Sequence, residues 1–165
     1  MARYATNVES VAAIVATAPS GATANALFAN LNASATTGYK LRRVTLGCIA
    51  GTGAPTSQQL SVGFVRTTAR QTATTTVTPT KLDPNSAAAG ITGLDTAWST
   101  VPTAVWTPPY LYQVTFNSQS GVDLPFELLE EMVCATGVAN GIAFINLDNA
   151  LPSAHKLTLT VEHEE

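Results

Sequence analysis

Charge is what this chain has least of. Asp, Glu, Lys and Arg make up 12% of its 165 residues, about half the share of an ordinary soluble domain. Lysine occurs only at Lys40, Lys81 and Lys156, and the formal net charge is −3. Neutralising phosphates takes clustered Lys and Arg, so the composition argues against a nucleic-acid partner. Cysteine is scarce too. Cys48 and Cys134 do not make a disulfide framework in a chain this long. No run reaches 18 apolar residues, so no membrane-spanning helix and no membrane partner is expected. No repeat of 20 to 50 residues is visible, which argues against a solenoid. Disorder is excluded as the main state by an apolar fraction of 45%.

What fills the chain instead is Thr and Ala, with Ser, Asn, Gly and Pro. A surface of such residues suits a protein packed against other proteins. The length is that of one domain with one core. Near the N-terminus, Val11–Ala18 (VAAIVATA) faintly resembles a signal peptide. Its stretch is short and weakly hydrophobic, Glu9 precedes it and Pro19 follows the small-residue motif. Residues 1–23 are therefore expected to form an N-terminal arm, and 24–165 the domain.

Strand-like segments recur between clusters of turn residues. Ala24–Leu31 is short and apolar, and Asn32–Gly38 reads as a turn. In Tyr39–Ala50, Val44, Leu46 and Cys48 alternate, and the slip back to Leu41 predicts a bulge. Gln59–Thr67 places Leu60, Val62 and Phe64 on one face. Ala73–Leu82 is β-branched, and Pro79 confines it to an edge. Asp83–Thr103 reads as a long irregular loop. In Ala104–Phe116, Tyr110, Tyr112, Val114 and Phe116 share a face. Pro125–Cys134 suits a short helix, or equally a strand; strand or mixed structure is favoured. Gly141–Leu147 is a buried-strand run, and Lys156–Glu164 alternates strictly. About eight short strands with Gly and Pro turns predict an all-β fold, an antiparallel β-sandwich of jelly-roll type.

Chemistry-bearing residues are few. His155, His163, Cys48 and Cys134 show no zinc spacing; both histidines read as surface residues at opposite ends of one strand, and no metal is expected. Asp148 and Asn149, with Asp123, are the oxygens a calcium ion would use, but no EF-hand spacing exists, and turn chemistry explains them. Both cysteines sit in apolar patterns and read as inert. Gly51-Thr52-Gly53 opens no helix, so no phosphate loop is assigned. Glu130 and Glu131 would point to opposite faces of a strand, and Glu162, Glu164 and Glu165 read as a solvated acidic tail. Asn32-Ala33-Ser34 is a sequon of little meaning without secretion. No catalytic cluster and no cofactor are expected, so the chain does not read as an enzyme. Trp98, Trp106, Tyr110 and Tyr112 cluster in sequence. Core packing explains them, but so does an interface, where Trp and Tyr are enriched.

Several segments together carry a resemblance: Tyr39-Lys40-Leu41-Arg42-Arg43-Val44; Lys81-Leu82-Asp83-Pro84 followed by Gly90 and Ala97-Trp98-Ser99-Thr100; Pro125-Phe126-Glu127-Leu128 before GIAFINL; and a final strand ending Val161-Glu162-His163-Glu164-Glu165. In this style the chain resembles the jelly-roll head-decoration and head-fibre-base proteins of tailed bacteriophages. The resemblance implies a trimer of sandwich domains on a capsid surface, made in the host cytoplasm and bound to a major capsid protein or another virion protein. It implies no catalytic residues. The expected contact residues are Arg3 and Tyr4 in the arm, with Trp98, Trp106, Tyr110 and Tyr112. The alternative is a carbohydrate-binding module of a tail-associated adhesin, which exposed aromatics near Asp95 or Asp148 would favour.

Overall fold

A computed structural model describes residues 1–10, 26–50, 54–104, 108–147, 150–151 and 155–165. Thirteen strands lie among them: β1 (Arg3–Glu9), β2 (Leu27–Asn32), β3 (Tyr39–Ile49), β4 (Gln59–Ala69), β5 (Thr72–Val77), β6 (Thr80–Lys81), β7 (Gly93–Thr100), β8 (Thr103–Ala104), β9 (Tyr112–Asn117), β10 (Val122–Pro125), β11 (Val133–Cys134), β12 (Gly141–Asn146) and β13 (Lys156–Glu164). Two antiparallel sheets face each other. One runs β10-β3-β13-β1-β6, with β11 also on β3; the other runs β5-β7-β2-β12-β4-β8, with β9 also on β4. Eight of these strands form two sheets of four, β10-β3-β13-β1 and β2-β12-β4-β9. That is the order of a jelly roll. The remaining strands are short additions or belong to the connection between β4 and β9.

The core follows from alternation. Leu41, Val44 and Leu46 from β3 meet Leu157, Leu159 and Val161 from β13, all at most 1% exposed. Leu60, Val62 and Phe64 from β4 and Ile142 and Phe144 from β12 close it from the other sheet. Burying each such side chain stabilises the fold by about 1.5–3 kcal/mol. Phe64 and Phe144 meet edge to face with centroids 4.9 Å apart. The bulge expected near Leu41 is present: pairing with β13 shifts between Glu162 and His163, where Arg43 and Leu41 are the successive partners.

The second sheet is apolar on both faces. Leu27, Val65, Ala143 and Ile145 form a smaller cluster on its outer side, with Trp98, Val101, Ala104, Tyr110 and Leu147 packed on it. This double burial explains why β2 and β12 are buried at every position and read as continuous apolar runs.

Several expectations are corrected here. Arg3–Glu9 is not an arm but β1, paired along its length with β13 and at Tyr4–Ala5 with β6. Tyr4 and Thr6 alternate inward, and both are buried. The rest of the expected arm, from 11, lies outside the described residues. The stretch Asp83–Thr103 is not one loop: it contains β7 and the start of β8, and 83–92 and 101–102 stay irregular. Gly93 starts β7 at φ +127°, where an added Cβ would stand 2.7 Å from the Val77 carbonyl, so only glycine fits. Pro125–Cys134 is mixed: the end of β10, a turn, and β11, with no helix. Pro79 does sit at an edge, where the chain leaves β5 on one sheet for β6 on the other.

Candidate interaction surface

Three charged clusters lock the fold, and two of them overturn surface readings. His163 and Glu164 are buried, not part of a solvated tail. The His163 ring stacks on Tyr4 at 5.3 Å and meets the edge of Tyr39 at 5.8 Å. Burial lowers its pKa below the ordinary 6.5, against the pull of the Glu165 carboxylate beside Nε2. Glu165 also accepts hydrogen bonds from the backbone N–H groups of Gly90 and Ile91. His155 is buried as well, at the other end of β13. Glu164 accepts a 2.6 Å bond from Arg42 Nε, and the Arg42 guanidinium also pairs with Glu131. The third cluster joins β2 to the edge. Asp95 of β7, fully buried, accepts from Arg70, Thr76 and Asn32 at 2.6–2.8 Å. Asn32 is itself fully buried, so its sequon offers no accessible acceptor.

No reactive group emerges among the described residues. Burial raises both cysteine thiols, which keeps them protonated. No three His, Cys, Asp or Glu side chains gather there as a metal would require. Asp148, Asn149 and the Gly51-Thr52-Gly53 turn lie outside the described residues. A cleft of about 490 Å³ on the outer face of the first sheet is lined by hydroxyls of Thr45, Ser120, Thr158 and Thr160, with Asp123. Asp123 already takes two bonds from Arg43 and one from Thr45. Arg43 holds its carboxyl below the usual range.

The expected contact residues do not converge on one patch. Arg3 is exposed and stands 4.0 Å from Glu164. Tyr4 is only 2% exposed beneath its own chain. Trp98 and Tyr110 are half-buried on the outer apolar cluster. Buried Trp98 Nε1 has no partner among the described residues. Trp106 lies outside them. Among the described residues, Tyr112 alone is an exposed large aromatic, at 40%.

Tyr112 marks the side where β9 and β10 face each other. There the Tyr112 ring meets Phe126 edge to face at 5.8 Å, bridging the two sheets. Among the described residues, each of these strands has a neighbour on one side only, β4 and β3 respectively. Leu111, Leu128, Leu129 and Val133 are exposed along the same side. Sequence reasoning missed them, although two adjacent leucines between glutamates, Glu127-Leu128-Leu129-Glu130-Glu131, are an unusual turn composition. Leu129 adopts φ +75°, a left-handed conformation costing a branched L-residue about 1–2 kcal/mol. The turn is braced: Glu130 N–H donates to the Glu127 carbonyl, and Leu129 N–H donates to Glu131, the partner of Arg42. Strain held in this way is characteristic of working surfaces.

Comparison with protein-family models, with curated proteins and with solved structures gave no match. The fold and surface define the class at the level of an antiparallel β-sandwich with jelly-roll strand order.

Proposed function

We propose that this protein is a structural subunit of a virus particle, a capsid decoration or head-fibre-base component that acts through protein–protein contacts and self-associates as a trimer. The observation that carries this reading is the β9/β10 side. Five large apolar side chains, Leu111, Tyr112, Leu128, Leu129 and Val133, stand exposed by 36–91% on one open flank. Side chains of this kind gathered on a monomer mark a protein contact. The low-charge sequence supports a packed setting, and the resemblance to phage head-decoration proteins supplies the particle.

Light scattering at several concentrations tests the self-association. A stable mass near three times 17.1 kDa is expected. Co-sedimentation with capsids lacking the protein tests the partner, with saturable binding expected. A monomer at every concentration that ignores capsids would sink the reading.

The carbohydrate-binding alternative draws on the hydroxyl-lined cleft at Asp123. Its support is thinner. Asp123 is occupied by Arg43 and Thr45, no aromatic ring of the described residues lines the cleft, and Asp95 is fully buried. Glycan-array binding lost in Thr160→Ala would favour it.

A further inference from the structure

Two features, one on the β9/β10 flank and one beside it on the outer face of the second sheet, are complementary in polarity and charge. The first is the turn between β10 and β11. It holds Leu128 and Leu129 out at 71% and 91% exposure. Glu127 and Glu130 flank them, both exposed. The turn is fixed to the body through Glu131, Arg42 and Glu164. The second is a cavity of about 400 Å³ lined by Val65, Arg66, Pro109, Tyr110 and Leu111. Its floor is apolar, and Arg66 is the one charged residue among the described lining. Arg66 is exposed, and its Nη1 donates to the Val133 carbonyl at 2.8 Å, which ties the cavity wall to the strand after the turn.

We propose that the Leu128–Leu129 tip of one copy seats in the Val65–Leu111 cavity of a second copy, with Glu127 and Glu130 meeting Arg66. The inference rests on the self-association reading above and names the surfaces that carry it. A second copy is the fitting occupant because this chain presents both halves of the contact. The apolar knob has acidic flanks, and the apolar cavity has a basic rim. The same pair of patches serves a reciprocal contact across a twofold axis or a head-to-tail ring, so the test does not depend on copy number.

The test is sedimentation equilibrium of the full chain. Four proteins are compared: wild type, Leu128→Ser/Leu129→Ser, Arg66→Glu, and the charge swap Arg66→Glu/Glu127→Arg/Glu130→Arg. Wild type is expected as a concentration-dependent oligomer. The double serine variant should associate about tenfold more weakly or worse, because it removes the buried anchors. Its circular dichroism should match wild type, since both leucines are exposed, and its melting temperature should fall only by what lost association removes. Arg66→Glu should also dissociate, and the swap should restore the oligomer. Rescue by the swap separates a contact from a folding defect. A wild-type oligomer whose mass none of these changes moves would overturn this placement and leave the self-association reading standing. A wild-type monomer at all concentrations would overturn both.

Discussion

At the scale of single residues, burial decides what each polar group does. His163 stays neutral between two tyrosines because its charged form would lose water and gain only Glu165. Its folded pKa lies below the unfolded value of about 6.5. Below pH 6.5 the unfolded chain therefore binds a proton that the folded chain refuses. Stability should be full above that pH and fall as pH drops from 6.5 towards the lowered folded value. Melting temperatures at pH 7.5, 6.0 and 5.0 check this, and His163→Phe should flatten that part of the profile. Leu129 gives a second case. Leu129→Gly should leave stability within about 0.5 kcal/mol of wild type, since relief of left-handed strain offsets glycine's entropy cost. Leu129→Val should lose about 1 kcal/mol, because a β-branched residue tolerates that backbone worse. Chemical denaturation of the two variants reads the difference.

At the scale of elements, legibility tracked how cleanly one face was buried. The strand β13 shows its alternation in the sequence because Leu157, Leu159 and Val161 go inward while Thr158 and Thr160 do not. The strand β7 was hidden because its inward and outward positions do not differ in polarity. Leu94 enters the core while its neighbour Asp95 is equally buried, among Arg70, Thr76 and Asn32. A buried charge at a strand position looks like a loop residue until its partners are known. The same partners make a prediction. Asp95→Ala strands Arg70 and Asn32 and should cost about 3 kcal/mol or more. Hydrogen exchange should show β5 and β7 losing protection before β3 and β13, since β5 is held to the molecule only through β7. The Glu162–Glu165 tail was misread for a related reason. Its partners Arg42 and the Gly90–Ile91 backbone are far away in sequence, and charge runs alone do not reveal them.

At the scale of the whole molecule, the sandwich and its eight-strand jelly-roll core were legible from strand count, period and turn residues. The exposed apolar flank was not. Of the aromatic cluster, Tyr112 reaches the surface, Trp98 and Tyr110 serve the outer apolar cluster, and the exposed leucines came from a segment that read as ambiguous. A contact built mainly from leucines and a few exposed charges should depend weakly on salt. Raising ionic strength from 0.05 to 0.5 M should change the association constant by less than about tenfold, since exposed ion pairs contribute little. A steeper dependence would place the contact on the charged faces instead.

The pairing of β1 with β13 also sets a timetable. Tyr4 lies against His163, and Arg3 is in register with Glu164. Of the described strands, β1 is thus completed by the one farthest from it in sequence, and the ring its Tyr4 stacks on comes from that distant strand. Its other neighbour among the described residues is the two-residue β6. Such non-local closure makes folding slow. It also means that a chain without β13 lacks the strand that sits between β1 and β3, so β1 loses its link to the rest of the first sheet.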